Sequence, residues 1–172
     1  LLHISSLAAA GPAGPDAPAK EVDPPRPVSE YGRSKLAAES EIRERCRAGF
    51  VILRPPAVYG PRDSEFLRLF KAIKAHLLPQ FGGGQQSLSL VHVRDLAEAA
   101  VQCLTPPAAV GRTYFVASPE VVTARELGRE IAAQLGGWNL PLLLPNFALW
   151  PVCALAQATA RLTGRPAMLS LH

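Results

Sequence analysis

The sequence predicts an α/β fold built on a largely parallel sheet, and three observations carry that prediction. Short apolar runs of strand length alternate along the chain with longer stretches rich in Ala, Glu, Lys and Arg. The run Phe50-Val51-Ile52-Leu53 is continuously apolar rather than alternating, as expected of a strand covered on both faces. Ser29, Asp95 and Thr123 stand at the starts of helical stretches. The last two have Glu98 and Glu126 three residues on, which is the spacing of a capping box.

From the N-terminus, residues 1–7 (LLHISSL) suit the end of a buried strand. There is no polar lead-in and the only methionine is Met168, so the chain is expected to start inside that strand. Residues 11–28 hold Pro12, Pro15, Pro18, Pro24, Pro25 and Pro27 and read as a loop. Ser29 opens a helix over Glu30–Ala48 that stops at Gly49. The strand at 50–53 ends at Pro55-Pro56, and Asp63 is placed to cap a helix reaching Leu78 with Phe66, Leu69, Phe70 and Ile73 on one face. Residues 87–93 alternate with period two and predict a strand, followed by a helix capped at Asp95. A strand at 114–117 and a helix from Thr123 to Gly136-Gly137 complete the pattern. Phe81-Gly82-Gly83-Gly84-Gln85-Gln86-Ser87 imitates a phosphate-binding glycine loop. It follows a helix and Pro79 and precedes a strand, the reverse of what such a loop requires, so it reads as a turn.

Composition narrows the function. An apolar fraction of 48% over 172 residues excludes a disordered or collagen-like chain. The net charge of +4 is modest. Its densest basic run, Arg43, Arg45 and Arg47, is interleaved with Glu41 and Glu44 and lacks aromatic residues, so it reads as a solvated helix face; no nucleic-acid partner is expected. Cys46, Cys103 and Cys153 form no CxxC pair, which predicts neither a metal site nor a disulfide framework and favours a reducing cytoplasm. Residues 139–160 carry no charge and are long enough to span a bilayer. Pro141, Pro145, Pro151, Asn146 and Gln157 oppose a regular spanning helix, and a buried or membrane-facing helix over Phe147–Leu162 is expected instead, with peripheral membrane contact through 139–160 as an alternative to a purely cytoplasmic protein.

The chemistry concentrates in Tyr31-Gly32-Arg33-Ser34-Lys35. On a helix Tyr31 and Lys35 are one turn apart on one face, so an ammonium can sit beside a phenol. An adjacent positive charge favours a phenolate, the form that accepts a proton. The pair Ser5-Ser6 ends the first strand, where α/β sheets place their ligands.

The stretches ISSLAAAG (4–11), EYGRSKLAAE (30–39), ILRPPAVYGPRD (52–63) and LSLVHVRDLAEAA (88–100) occur in an order that resembles the extended short-chain dehydrogenase/reductase family, the NAD-dependent epimerase/dehydratase group. The resemblance covers roughly residues 1–137; the tail, with LTGRP at 162–166, is more weakly similar to the 3β-hydroxysteroid dehydrogenase-like and sugar-nucleotide reductase branches. It implies the C-terminal part of a Rossmann-like NAD(P)-binding fold with parallel strands and a small helical substrate-domain portion. Residues 1–110 would be the second part of the dinucleotide-binding domain, with a substrate-domain insertion around 61–87, and 111–172 a substrate-binding portion. No glycine-rich strand-to-helix turn and no acidic residue for the adenine ribose is recognisable within the chain, so the half that grips the pyrophosphate is expected to precede Leu1, and the 172 residues alone are expected to be inactive.

Carried over by position, the resemblance implies Ser6 as the catalytic hydroxyl with Ser5 as its fallback, Tyr31 as the acid/base, and Lys35 as the residue that favours the phenolate and bonds the nicotinamide ribose. Pro55, Pro56, Ala57 and Val58 would lie along the nicotinamide of NAD or NADP. Ser5, Ala10, Arg62 and His92 are candidates for substrate contact. Ala10 stands where the family often has a Tyr that can touch substrate, which counts against a sugar-nucleotide substrate more than against the redox chemistry. His92, read structurally, is a core histidine of its strand. The implied reaction is hydride transfer at a secondary alcohol or ketone of a small molecule (sugar nucleotide, steroid or similar), net or transient during epimerisation or dehydration; a homodimer is one assembly open to such an enzyme, and the sequence does not fix the oligomeric state. A non-catalytic module using the same fold as a cofactor-responsive scaffold is the rival from another class.

Overall fold

The computed structural model describes residues 1–14, 17–81, 86–136 and 140–144. The chain divides into two compact units, one of Leu1–Asp63 with Ser89–Val121 and the other of Ser64–Leu88 with the residues from Val122 onward.

In the first unit, strands β1 (Leu2–Ile4), β2 (Val51–Arg54) and β6 (Thr113–Phe115) form a sheet in the order β1-β2-β6. Both pairings are parallel, with Leu2 opposite Val51, Ile4 opposite Leu53 and Arg54 opposite Phe115. The continuous apolar run thus supplies the central strand, whose four residues Val51–Arg54 are all buried, with Phe50 half-buried just before it. Ile52 and Leu53 are wholly removed from solvent, each stabilising the fold by about 1.5–3 kcal/mol. Helix α1 (Glu30–Arg45) makes the crossover from β1 to β2. Val51, Leu53 and Ala109 form a core on which Leu2, Leu96, Ala100, Cys103, Tyr114 and Val116 pack. A second parallel pair joins β3 (Ala57–Tyr59) to β5 (Ser87–His92), Ala57 opposite Leu90 and Tyr59 opposite His92. β5 leads directly into α3 (Val93–Gln102).

The second unit holds α2 (Ser64–Lys74), β4 (Leu77–Phe81), α4 (Ala124–Gln134) and β8 (Leu140–Leu144); β4 and β8 pair in parallel. Ile73, Leu78, Ile131 and Ala132 make its core, with Leu69 and Leu127 packed against it. Strand β7 (Val121–Thr123) ends in the Thr123 cap, and the capping box with Glu126 forms as expected, both reciprocal bonds being present.

Three local expectations are corrected. The helix after Asp63 stops at Lys74 instead of Leu78: the amides of Ala75 and His76 close the last turn, His76 takes a left-handed φ of 62°, and the chain turns into β4. Pro79 could not have continued a helix in any case. Helix α1 ends at Arg45, three residues short of Ala48, with the Cys46 amide bonded to Ile42 O. The helix after β5 begins at Val93, and His92 rather than Asp95 is its cap: His92 Nδ1 accepts from the Arg94 amide at 3.3 Å. With no linker between strand and helix, the last strand residue must serve the first free amides. Asp95 instead occupies the first turn, where its charge favours the helix dipole.

The glycine turn at 82–85, the proposed helix over 147–162, LTGRP and Met168 lie outside the described residues. Among the described residues no helix is long and apolar enough to cross a membrane.

Candidate active site

The carboxyl ends of β1 and β2 position the first hydroxyl. Their ladder continues past the strands, Ser5 N–H donating to Leu53 O at 2.7 Å and Leu7 N–H to Pro55 O at 2.8 Å. Strand alternation then sends the two serines to opposite sides. Ser5 is 3% exposed and donates its hydroxyl to Glu39 Oε1 at 2.5 Å. Ser6, half-buried, caps the 3₁₀ turn Leu7–Ala9, its Oγ accepting from the Ala8 amide at 3.2 Å. That bond uses a lone pair, so the Ser6 O–H proton is left to donate elsewhere.

Helix α1 is brought onto this turn by two glycines. Gly11 adopts a φ of 96°, while Arg26 N–H donates to Ala10 O at 2.7 Å, so the far end of the Pro-rich loop folds back beside the first strand's turn. Ser29 caps α1, its Oγ accepting from the Gly32 amide at 3.0 Å. Gly32 is buried, and a Cβ there would lie 2.3 Å from Ala8 O. Only a glycine lets the first turn of α1 sit this close to the Ser6–Ala10 turn. Gly32→Ala is therefore expected to destabilise the protein by about 1–3 kcal/mol and to lower whatever activity depends on this junction; a thermal melt indistinguishable from the parent would refute the close fit.

That junction sets Tyr31 and Lys35 beside the strand end. Lys35 Nζ donates to Ile4 O at 3.3 Å and lies 5.7 Å from the centre of the Tyr31 ring. Tyr31 is 56% exposed, so its hydroxyl is open to a bound molecule. The bond to Ile4 takes one of the three ammonium donors, and the other two fit hydroxyl acceptors such as those of a ribose.

Beneath this surface lies a buried ion pair that the sequence reading missed. Arg54 grips Glu39 with two bonds, Nε to Oε1 at 2.9 Å and Nη2 to Oε2 at 2.7 Å, and the two side chains are 4% and 0% exposed. Burial pushes the Glu39 carboxyl up, but the hydrogen bonds from Arg54 and Ser5 and the charges of Arg54 and Arg43 outweigh it and hold the group below its usual range. His3 is held below its usual value, first by burial and then by the Lys35 charge, with Glu39 opposing; its Nε2 is buried without a hydrogen-bond partner.

The other candidates stand as follows. Pro55 is buried and Pro56 and Val58 are half-buried, while Ala57 is exposed, on the segment leaving β2. Ala10 closes the 3₁₀ turn. His92 packs edge-on against Tyr59, ring centres 5.2 Å apart, so its contacts tie it to the junction of β5 and α3. Arg62 is exposed in the turn after Gly60 with a φ of 74°. The structure thus brings together Ser5, Ser6, Tyr31 and Lys35. It adds Gly32, Glu39 and Arg54 to them.

Comparison with known proteins gives three further findings. Residues 1–117 match the model of the NAD dependent epimerase/dehydratase family. Among curated relatives, the chain is 30% identical over 155 residues to UDP-glucose 4-epimerase of Vibrio cholerae, covering 86% of this chain and 47% of that protein. It is 31% identical over 146 residues to ceramide reductase of Caulobacter vibrioides, covering 84% and 45%. Among solved structures, UDP-glucuronic acid 4-epimerase from Bacillus cereus in complex with UDP-glucuronic acid and NAD superposes with a TM-score of 0.74 at 26% identity, over 84% of this chain and 48% of that one. The chain spans about half the length of the curated relatives it matches.

Proposed function

The chain belongs to the NAD-dependent epimerase/dehydratase family, with its Rossmann-like parallel α/β fold, and from that premise we propose that it supplies the acid/base half of an NAD(P)-dependent site acting on a secondary alcohol or ketone. The observation that carries this reading is the juxtaposition at the end of β1: Lys35 Nζ bonded to Ile4 O and 5.7 Å from the Tyr31 ring, with Ser6 two residues further along the same strand end, its Oγ accepting from the Ala8 amide and its own proton left to donate. A phenol next to an ammonium moves a proton, and a hydroxyl beside it fixes the oxygen that gains or loses that proton.

In the direction of oxidation, Tyr31 takes the proton from the substrate hydroxyl while the C–H bond at the same carbon breaks; in reduction it returns the proton to the forming alkoxide. Ser6 donates to that oxygen in both directions and stabilises its developing charge. Lys35 sets its charge 5.7 Å from the Tyr31 ring and offers its two remaining donors to the ribose. NAD or NADP, when bound, accepts or gives the hydride. Pro55–Val58 would flank it: the prolines offer no N–H to compete and Ala57 no bulk. The unit containing β1, β2 and β6 serves in this reading as part of the dinucleotide-binding domain, and the unit containing α2 and α4 as part of the substrate-binding portion.

The test is hydride exchange in the full-length protein between NAD(P)H and two substrate classes, a UDP-hexose and a long-chain ketone, followed by nicotinamide absorbance and isotope transfer. Exchange with one class is expected, and Ser6→Ala should lower kcat about 10²–10³-fold. A full-length protein that binds NAD(P) yet moves no hydride with either class defeats the enzymatic reading.

A further inference from the structure

Tyr31, Lys35 and Glu39 are spaced by four along α1 and so form one stripe on its face. Successive turns of that stripe hold successive residues of the first strand's end: Lys35 Nζ bonds Ile4 O, and Glu39 Oε1 accepts the Ser5 hydroxyl. The next residue is Ser6. Glu39 is in turn fixed from the neighbouring strand by both nitrogens of Arg54. The network therefore links β1, α1 and β2 through one fully buried carboxylate.

Burying an ion pair gains little stability over a well-packed apolar pair, so folding alone does not account for its chemistry. What the carboxylate adds is a directional acceptor for Ser5. We propose that Glu39, anchored by Arg54, is a positioning residue that acts through the Ser5 hydroxyl to fix the Ser6 turn and keep it in register with Tyr31 and Lys35. This inference rests on the acid/base reading given above. Ser5 is then not a fallback for the catalytic hydroxyl or a substrate contact but the connection between the buried pair and Ser6. The amides of Leu7, Ala8, Ala9 and Ala10, bonded to Pro55 O, Ser6 Oγ, Ser6 O and Leu7 O, report on that turn.

The experiment uses Ser5→Ala in the full-length protein, a change that leaves Glu39 paired with Arg54. Amide exchange read by mass spectrometry should accelerate at least several-fold at Leu7–Ala10 and stay unchanged in α4. The melting temperature should hold, and kcat should fall about 10- to 100-fold with KM little altered, as expected when a reacting group is displaced rather than removed. Unchanged exchange at the turn, or unchanged kcat while Tyr31→Phe abolishes turnover, overturns the positioning role. Full turnover in Tyr31→Phe brings down the functional reading instead, and the exchange rates still decide whether Ser5 holds the turn.

Discussion

In the full-length protein, Tyr31→Phe is expected to lower turnover about 10²–10⁴-fold, the usual contribution of a positioned proton-transfer group, and to leave cofactor affinity largely unchanged. The substitution is selective because of where Tyr31 sits. Its ring is 56% exposed on the first turn of α1 and carries no part of the core, so the change in stability should stay within about 0.5 kcal/mol. Phe keeps the ring that lies 5.7 Å from Lys35 Nζ and removes only the hydroxyl. Lys35 is a less clean target, since truncating it also releases Ile4 O and loosens the strand end. Steady-state kinetics with parallel NAD(P) titration separate the outcomes: kcat near the parent value would mean that the phenol moves no proton.

The parts of the fold that were legible in the sequence are those with a local cause. The continuous apolar run at 50–53 announces a strand buried on both faces, and β2, at 51–54, is the central strand. Ser29 and Thr123 cap the helices they precede because a cap and the amides it serves lie within three residues. The parallel pair β4·β8 was not legible. Its strands contain Pro79 and Pro141, residues that argue against a strand, and they meet across some sixty positions of chain, Leu77 opposite Leu140. The start of α3 was misread for a related reason. Asp95 with Glu98 is a valid capping-box spacing, but β5 runs into α3 without a break, and the tertiary path moves the helix start three residues earlier.

The candidate site divides in the same way. Tyr31 and Lys35 are readable because i and i+4 on a helix is a local geometry. Gly32 between them looks like a helix weakness in sequence; its reason is Ala8 O on another element. Glu39 reads as one more charge on an alternating helix face and Arg54 as the polar end of a strand. That they meet, with Ser5, is a fact of the β1–α1–β2 crossover. One signal was available: Arg54 closes an otherwise apolar buried run, and a charge in such a place requires a partner.

Arg54→Met is expected to cost about 3–5 kcal/mol, because it strips the buried Glu39 carboxylate of its buried partner and leaves it only the Ser5 hydroxyl and the half-exposed Arg43 at 4.0 Å. Urea unfolding of the full-length protein at several pH values checks both the size and the cause. In the parent, Glu39 titrates below its ordinary 4.5 in the folded state, so its contribution is complete above that value and is lost as pH falls further. His3, held below its ordinary 6.5 by burial and Lys35, adds a loss of stability that begins on acidification through 6.5, where the unfolded chain takes up the proton first. The parent should therefore lose stability in two stages as pH falls. In Arg54→Met, burial still pushes the Glu39 carboxyl up while the bonds and charge of Arg54 that pulled it down are gone, leaving only the Ser5 hydroxyl and the Arg43 charge to oppose it, so the group gains by taking a proton. The difference between variant and parent should then shrink as pH falls from 7 towards 4. A difference that stays constant over that range would mean that the lost methylene packing of Arg54, not the stranded charge, sets the cost. A triple change, Ser5→Ala with Glu39→Leu and Arg54→Met, removes the buried members of the network together, leaves only the half-exposed Arg43 unpaired from Glu39, and should recover most of the stability. If the network serves to place Ser6, that stable apolar variant will still have a low kcat, and folding and positioning will have been separated in one protein.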